Sequence, residues 1–244
     1  MNKILMLIVV LFPIFSGVLI PMLPFRGRRA MCIFIEGCAL AESALVFFLL
    51  QNPPAETLTV FRFTGNLSIT FRVDGMGALF AGMASFLWPL ALLYSFEYMK
   101  HEHSEKSFFL FYLITYGITL GIALAENILT MYFFFEMLSM ATLPLIMHTR
   151  TREAFLASRS YLYYMLVPGG VLDTVKIGDK GNLLLLVYVL CFCGFSVKTA
   201  VFPFSSWLPK AGVAPTPVTA LLHAVAVVNT GAFAAMRVTY YSFG

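Results

Sequence analysis

The amino-acid sequence predicts an all-α polytopic membrane protein of about eight transmembrane helices. Three observations carry this. Of 244 residues, 60% are hydrophobic and only 11% charged, whereas ordinary soluble domains carry about 25% charged residues. Apolar runs near the length of a bilayer crossing, about 20 residues, recur along the chain. These runs are continuous rather than alternating, which argues against a β-barrel. Eight crossings of about 25 residues each leave no room for a sizeable soluble domain. The net charge of +4 reflects basic loops beside lipid, not a nucleic-acid footprint.

Ile4 to Leu23 reads as the first helix, with Pro13 inside it, which membrane helices tolerate. One preceding lysine and no small-residue cleavage pattern make it a first crossing rather than a removed signal peptide. Arg26, Arg28 and Arg29 follow. Ala30 to Leu50 is the second helix and holds Glu36 and Glu42, about 120° apart around the axis. These two read as facing a partner subunit or pairing near a helix end. A proton site is the less favoured reading, because no matched cation sits on a neighbouring run.

Residues 51 to 75 are polar. Within them Phe61-Arg62-Phe63 and Ile69 to Val73 alternate, which predicts a short hairpin on the membrane surface. Asp74-Gly75 closes the hairpin and opens the third helix, Met76 to Met99, followed by the charged loop Lys100 to Lys106. Phe108 to Ala125 is the fourth helix. The link Glu126-Asn127 is so short that the fifth helix, Ile128 to Met147, must lie antiparallel and adjacent. Glu136 sits within it, and Arg150, Arg152 and Arg159 follow. The sixth apolar run, Ser160 to Leu172, has 13 residues including Pro168, Gly169 and Gly170, which is short for a crossing. Asp173, Lys176, Asp179 and Lys180 then form a polar loop. The seventh helix starts at Leu183 and meets Lys198, with a break near Pro203. The eighth opens after Pro217 and carries His223 and Asn229.

With the N-terminus outside, the inside loops hold nine lysines and arginines and the outside loops five, which the positive-inside rule favours. Residues 1–106 form an N-terminal three-helix segment with its hairpin at 51–75. Residues 107–244 form a five-helix unit. Cys32, Cys38, Cys191 and Cys193 lie in apolar runs without a Cys-x-x-Cys pair, so a metal or iron–sulfur site built by this chain alone is not expected.

Lys198 carries the chemistry. An ammonium at the centre of a membrane helix costs roughly 3 kcal/mol by insertion scales and marks a functional site by default. The bland alternative is a structural ion pair or a lysine snorkelling to the interface. At about 1.5 Å per residue, Lys198 lies about 22 Å from the outer end of helix seven, and His223 about 8 Å from the inner end of helix eight. Both fall at one level of a core about 30 Å thick, with Glu136 nearer the midplane. Helix ends leave room for a Glu136–Lys198 contact. In general a dry amine sheds its proton more readily, and a neighbouring carboxylate holds it on. Histidine offers a second relay. Pro203 frees a backbone carbonyl about one turn earlier, and a broken membrane helix is tolerated where it lines a watery cavity.

Four segments resemble a known family: Phe71-Arg72-Val73-Asp74-Gly75; Ala125-Glu126-Asn127 leading into Phe135-Glu136-Met137-Leu138-Ser139; Phe195 to Leu208; and Ala214 to Ala224. Together they are similar to the antiporter-like membrane subunits of respiratory complex I (NADH:quinone oxidoreductase), of multi-subunit Na⁺/H⁺ antiporters and of energy-converting membrane hydrogenases. The resemblance spans about residues 70 to 240. It implies that Glu136 is the helix-five glutamate, Lys198 the lysine of a discontinuous helix seven and His223 the helix-eight histidine. Glu126, Asp74 and Asn229 are accessory candidates. Asn229 stands where many relatives carry a lysine or threonine, and helix six with its loop is shorter than the family pattern. Family members usually run about twice as long and carry a second, inverted five-helix repeat. The expectation is therefore the N-terminal half alone: one half of a split subunit, a degenerate subunit or an incomplete sequence.

The function this implies is proton or cation translocation in a redox-driven complex, by way of Lys198 and His223, with Glu136 setting the lysine's charge. The subunit would hold no cofactor of its own. Two rivals stay open: a component of a secondary Na⁺/H⁺ antiporter, and a non-conducting structural half-subunit. Expected partners are other membrane subunits, including a chain with the second repeat, and the lipid bilayer, with no nucleic acid. The expected location is a bacterial or archaeal cytoplasmic membrane.

Overall fold

The computed structural model describes residues 2–64, 67–102, 104–149, 151–166 and 181–242. The apolar runs become helices where periodicity and caps place them: α1 Asn2–Met22, α2 Arg28–Gln51, α3 Gly75–Tyr98, α4 Glu105–Ala123 and α5 Ile128–Ile146. Six helices among the described residues are long and apolar enough to cross a membrane, the sixth being the broken run Thr216–Tyr240. Large apolar side chains on their outer faces, such as Phe15, Met22, Ile33, Leu79 and Phe86, are exposed, as lipid-facing positions should be.

The sixth helix differs from expectation. α6 runs Arg152–Leu166, starting eight residues before the apolar run does. Its first turns are amphipathic, with Ala154, Ala157 and Tyr161 buried. An i, i+3, i+7 stripe of this kind makes a helix without any continuous apolar run. The Pro168-Gly169-Gly170 segment and the polar loop at 173–180 lie outside the described residues.

α4 is the most enclosed span, with 72% of its apolar window buried against 33% for α2. It packs along α1, α3 and α5. A Cβ on Gly117 would sit 2.5 Å from the Val10 carbonyl, so only glycine lets α1 approach this closely.

The predicted hairpin is present: β1 Leu58–Thr64 pairs antiparallel with β2 Leu67–Phe71. β2 is pinned to the α4–α5 link. Arg72 N donates to Leu124 O at 2.8 Å and Glu126 N to Thr70 O at 3.0 Å. Asn127 works on both sides of this joint. Its Oδ1 caps α5 at Thr130 N, 2.7 Å, and its amide donates to Ser68 O, 2.7 Å, and Thr70 Oγ1, 2.8 Å. At the near end of the bundle Lys3 pairs with exposed Glu56 and holds that carboxyl below the usual carboxylate range.

Two clamps hold α3 at opposite ends. Arg28 Nε donates to both carboxylate oxygens of Glu105, 2.8 and 3.0 Å, while its Nη2 donates to Phe96 O. At the other end Asp74 caps α3 through Gly77 N, 2.6 Å, and accepts from Arg237 Nη2 at 2.6 Å. Arg237 also donates to Ala123 O, 3.3 Å, at the end of α4. Both side chains of this pair are nearly dry, 8% and 13% exposed. Removing one partner of a buried pair typically costs about 3–5 kcal/mol. Asp74→Asn keeps a capping side chain but strips Arg237 of its carboxylate. Its unfolding temperature in detergent should fall, and the Asp74→Asn/Arg237→Met double variant should regain most of the loss. A double variant no better than the single would rule out charge pairing as the cause.

Candidate functional site

α7, Gly181–Lys198, ends on the lysine itself. Its end is a Schellman turn: Val201 N donates to Ser196 O, 3.2 Å, and Ala200 N to Val197 O, 3.1 Å. Ala200 adopts φ 56°, the left-handed conformation such a turn requires at that position. An alanine there is strained by about 1–2 kcal/mol. Trp207 Nε1 adds a third bond, donating to Val197 O at 2.8 Å. Three donors thus satisfy carbonyls that the helix end leaves open. The chain then turns through Phe204–Ser206 into α8, Trp207–Ala211.

Lys198 is 2% exposed. Its Nζ donates to the carbonyl of Phe135 on α5 and lies over the Phe135 ring, 3.7 Å from the centroid. The ring is held edge-on by Phe195, 5.0 Å. The negative end of the α7 dipole also favours a cation at this place. Lys198 and Glu136 sit within electrostatic range of each other, without an ion pair inside 4.0 Å. Glu136 is half-buried, and its Oε2 is buried without a hydrogen-bond partner. It lines a cavity of about 410 Å³ together with Phe111, Ile114, Ile118, Phe133 and Met140. The amine therefore meets α5 at the level of Glu136. A lysine side chain is long enough to close the difference in depth that helix arithmetic gives.

The other sequence candidates fall elsewhere. His223 is exposed and forms no ion pair with a described residue. It sits in a π-turn, Leu221–Val225, between α9, Thr216–Ala220, and α10, Val227–Arg237. Ala226 N donates to Leu221 O, 2.8 Å, closing that wide turn. Asn229 mends it, its amide donating to Ala224 O at 2.6 Å. Asp74 is occupied by its cap and by Arg237. Glu126 is half-buried at the β2–α5 joint. Pro203 lies in the turn after α7, but the helix has already ended at Lys198.

Sequence reasoning missed Tyr161. Its hydroxyl meets Thr142 Oγ1 at 2.8 Å, its ring packs edge-on to Trp207, 5.4 Å, and it lies within range of the Glu136 charge. It links α5 and α6 to the break after α7. The signal available in the sequence was the i, i+3, i+7 spacing of Ala154, Ala157 and Tyr161.

Two family models match: "NADH-Ubiquinone oxidoreductase (complex I), chain 5 N-terminus" over residues 62–109 and "NADH:quinone oxidoreductase/Mrp antiporter, TM" over residues 169–243. A Na⁺/H⁺ antiporter subunit of Alkalihalophilus pseudofirmus is 32% identical over 195 residues, covering 71% of this chain and 24% of that protein. The chain belongs to the antiporter-like membrane subunit family. A Na⁺/H⁺ antiporter subunit of Staphylococcus aureus is 26% identical over 259 residues, covering 95% of this chain and 32% of its own length. The chain thus spans about a quarter to a third of these curated relatives. A chain of the archaeal membrane-bound sulfane sulfur reductase shares the fold, with TM-score 0.79 and 18% identity over 96% of this chain and 53% of that one. The antiporter-like subunit is an integral membrane protein.

α10 packs on the end of α7 through Gly231, where a Cβ would stand 2.6 Å from Thr199 N and 2.7 Å from its Oγ1. Gly→Ala in an open helix stabilises by about 1 kcal/mol. Here overpacking costs about 1–3 kcal/mol and displaces the residue next to Lys198. Gly231→Ala should lower the unfolding temperature of the protein in detergent; a rise would show that the two backbones do not approach this closely.

Proposed function

We propose that this antiporter-like subunit carries protons, or a cation exchanged for them, across the membrane, with Lys198 as the proton-carrying group and Glu136 as the acid that sets its charge. The observation that carries this reading is an amine 2% exposed, seated at a helix break and one residue along α5 from an unpaired carboxyl oxygen. An ionised Glu136 favours the ammonium. When Glu136 is neutralised, only a carbonyl, a ring face and the end of the α7 dipole remain to stabilise the charge, and the amine gives up its proton. Glu136 is the one ionisable side chain among the residues lining the 410 Å³ cavity, and it is assigned the exchange of protons on that side. His223, exposed on its π-turn, is assigned the exit relay, in keeping with its place in the family motif.

The parent assembly is proposed to be multi-subunit and redox-driven, and to lie in a bacterial or archaeal cytoplasmic membrane. Relatives named as parts of Na⁺/H⁺ antiporters favour a secondary antiporter as the second reading. The sulfane sulfur reductase likeness supports the fold alone.

Lys198→Ala and Glu136→Gln, each in the assembled complex, should lower ion-driven pH change in inverted vesicles by about tenfold or more, in the range that loss of a proton-transfer group brings. Assembly should survive the Glu136→Gln change, because a glutamine side chain is isosteric with the neutral acid. Full transport in both variants would remove the assignment and leave a structural spacer.

A further inference from the structure

α2 carries a carboxyl that the Lys198 path does not use. Glu42 is 0% exposed, and neither carboxyl oxygen has a hydrogen-bond partner. The described residues form ion pairs at Lys3–Glu56, Arg28–Glu105, Lys100–Glu97 and Arg237–Asp74, and Glu42 is in none of them. The sequence expectation of a partner-facing or paired acid therefore does not hold for this residue: it points into the bundle of its own chain.

Glu42 lies on the buried stripe of α2 beside Ser43, and no described basic group pairs with it. The next residue, Ser43, donates to Ala39 O, 2.9 Å, and Ser85 O, 2.7 Å, and meets Tyr116 Oη at 3.3 Å. Tyr116 on α4 is within range of the Glu42 charge. From α3, Ser85 lies beside the Tyr116 hydroxyl and Trp88 Nε1 is buried without a partner, both residues 0% exposed. Trp88 stacks on Tyr116 at 4.6 Å and meets Tyr112 edge-on. One turn before Glu42 on α2, Cys38 meets Ser16 of α1. The other acid of α2, Glu36, is half-buried on another face.

We propose that Glu42, fully buried and unpartnered on the face of α2 that meets Tyr116, is a binding site for one monovalent cation, a proton or a sodium ion exchanging with it. The argument is charge balance. A bare carboxylate in this setting costs many kcal/mol, and one positive charge removes that cost. A divalent ion would leave a net positive charge equally unmet. Oxygen donors alone suit a hard ion and not a thiophilic metal. The Glu42 site rests on its own geometry and does not require the Lys198 path.

The test is labelling of native membranes with a hydrophobic carbodiimide, which modifies protonated carboxyl groups in apolar surroundings, followed by mass spectrometry. The adduct is expected on Glu42 and should persist at pH values where exposed Glu56 is unlabelled. Protection by sodium chloride but not choline chloride identifies sodium as an occupant; no protection identifies a proton alone. No adduct on Glu42 in membranes where Glu36 is labelled overturns the site. As a second arm, Glu42→Gln replaces a neutral acid by a neutral amide and should leave assembly intact. Its transport pH profile should shift by about one unit, a tenfold change in proton affinity; a profile superimposable on that of the unmodified protein counts against the site. The labelling arm decides even if the protein proves not to transport, so failure of one reading is separable from failure of the other.

Discussion

A lysine ammonium in a dry helical bundle has to be solvated by the protein, and the local architecture around Lys198 follows from that demand. Water is absent from hydrocarbon, so backbone carbonyls, an aromatic face and a helix terminus must take its place. Ending α7 at this residue supplies the terminus. Phe135 supplies both carbonyl and ring. The same ending exposes carbonyls of α7, and the Schellman turn with Trp207 absorbs them. Gly231 then lets α10 close over the joint. Each of these features answers a polar group that the previous one leaves open. Irregular backbone inside a membrane is tolerated only where such answers exist.

Much of this is legible in the chain. Lys198 and Glu136 stand out because ionisable residues inside long apolar runs are rare enough to be noticed singly. The hairpin is visible because its strands alternate with a period of two. The joint at Asn127 follows from a short link and a capping residue. The relation of His223 to Lys198 is not legible. Rise per residue fixes depth along a helix but not rotation about it, and a π-turn at 221–225 resets the face on which every later residue sits. The end of α7 is also hidden. A turn of this type usually announces itself by glycine, and this one uses Ala200 in a strained conformation. Arg237 and Asp74 are 163 residues apart, a separation that no local pattern can bridge. At Glu42 the lack of a cation on neighbouring runs does not mean that the acid faces outward. Residues 39, 42, 43 and 46 share the buried stripe of α2.

α4 gives these separate features a common frame. Tyr116 lies on the face toward α2 and α3, near Glu42. Ile114 and Ile118 lie on the cavity side with Glu136. Two residues along an α-helix turn about 200°, so the two acids sit against nearly opposite faces of one helix. That helix is the most enclosed of the bundle. Its ends are fixed, by Arg28 holding Glu105 at one and by Arg237 reaching the Ala123 carbonyl at the other. A helix held at both ends and largely enclosed does not slide to let charges meet. Glu42 has no described cation to pair with, whereas Lys198 has the half-buried Glu136 within electrostatic range. The same membrane-buried chain thus solves two charge problems in different ways. Around Lys198 it arranges a carbonyl, an aromatic face and a helix end. Around Glu42 it leaves a buried carboxyl with no hydrogen-bond partner and no basic group paired to it among the described residues.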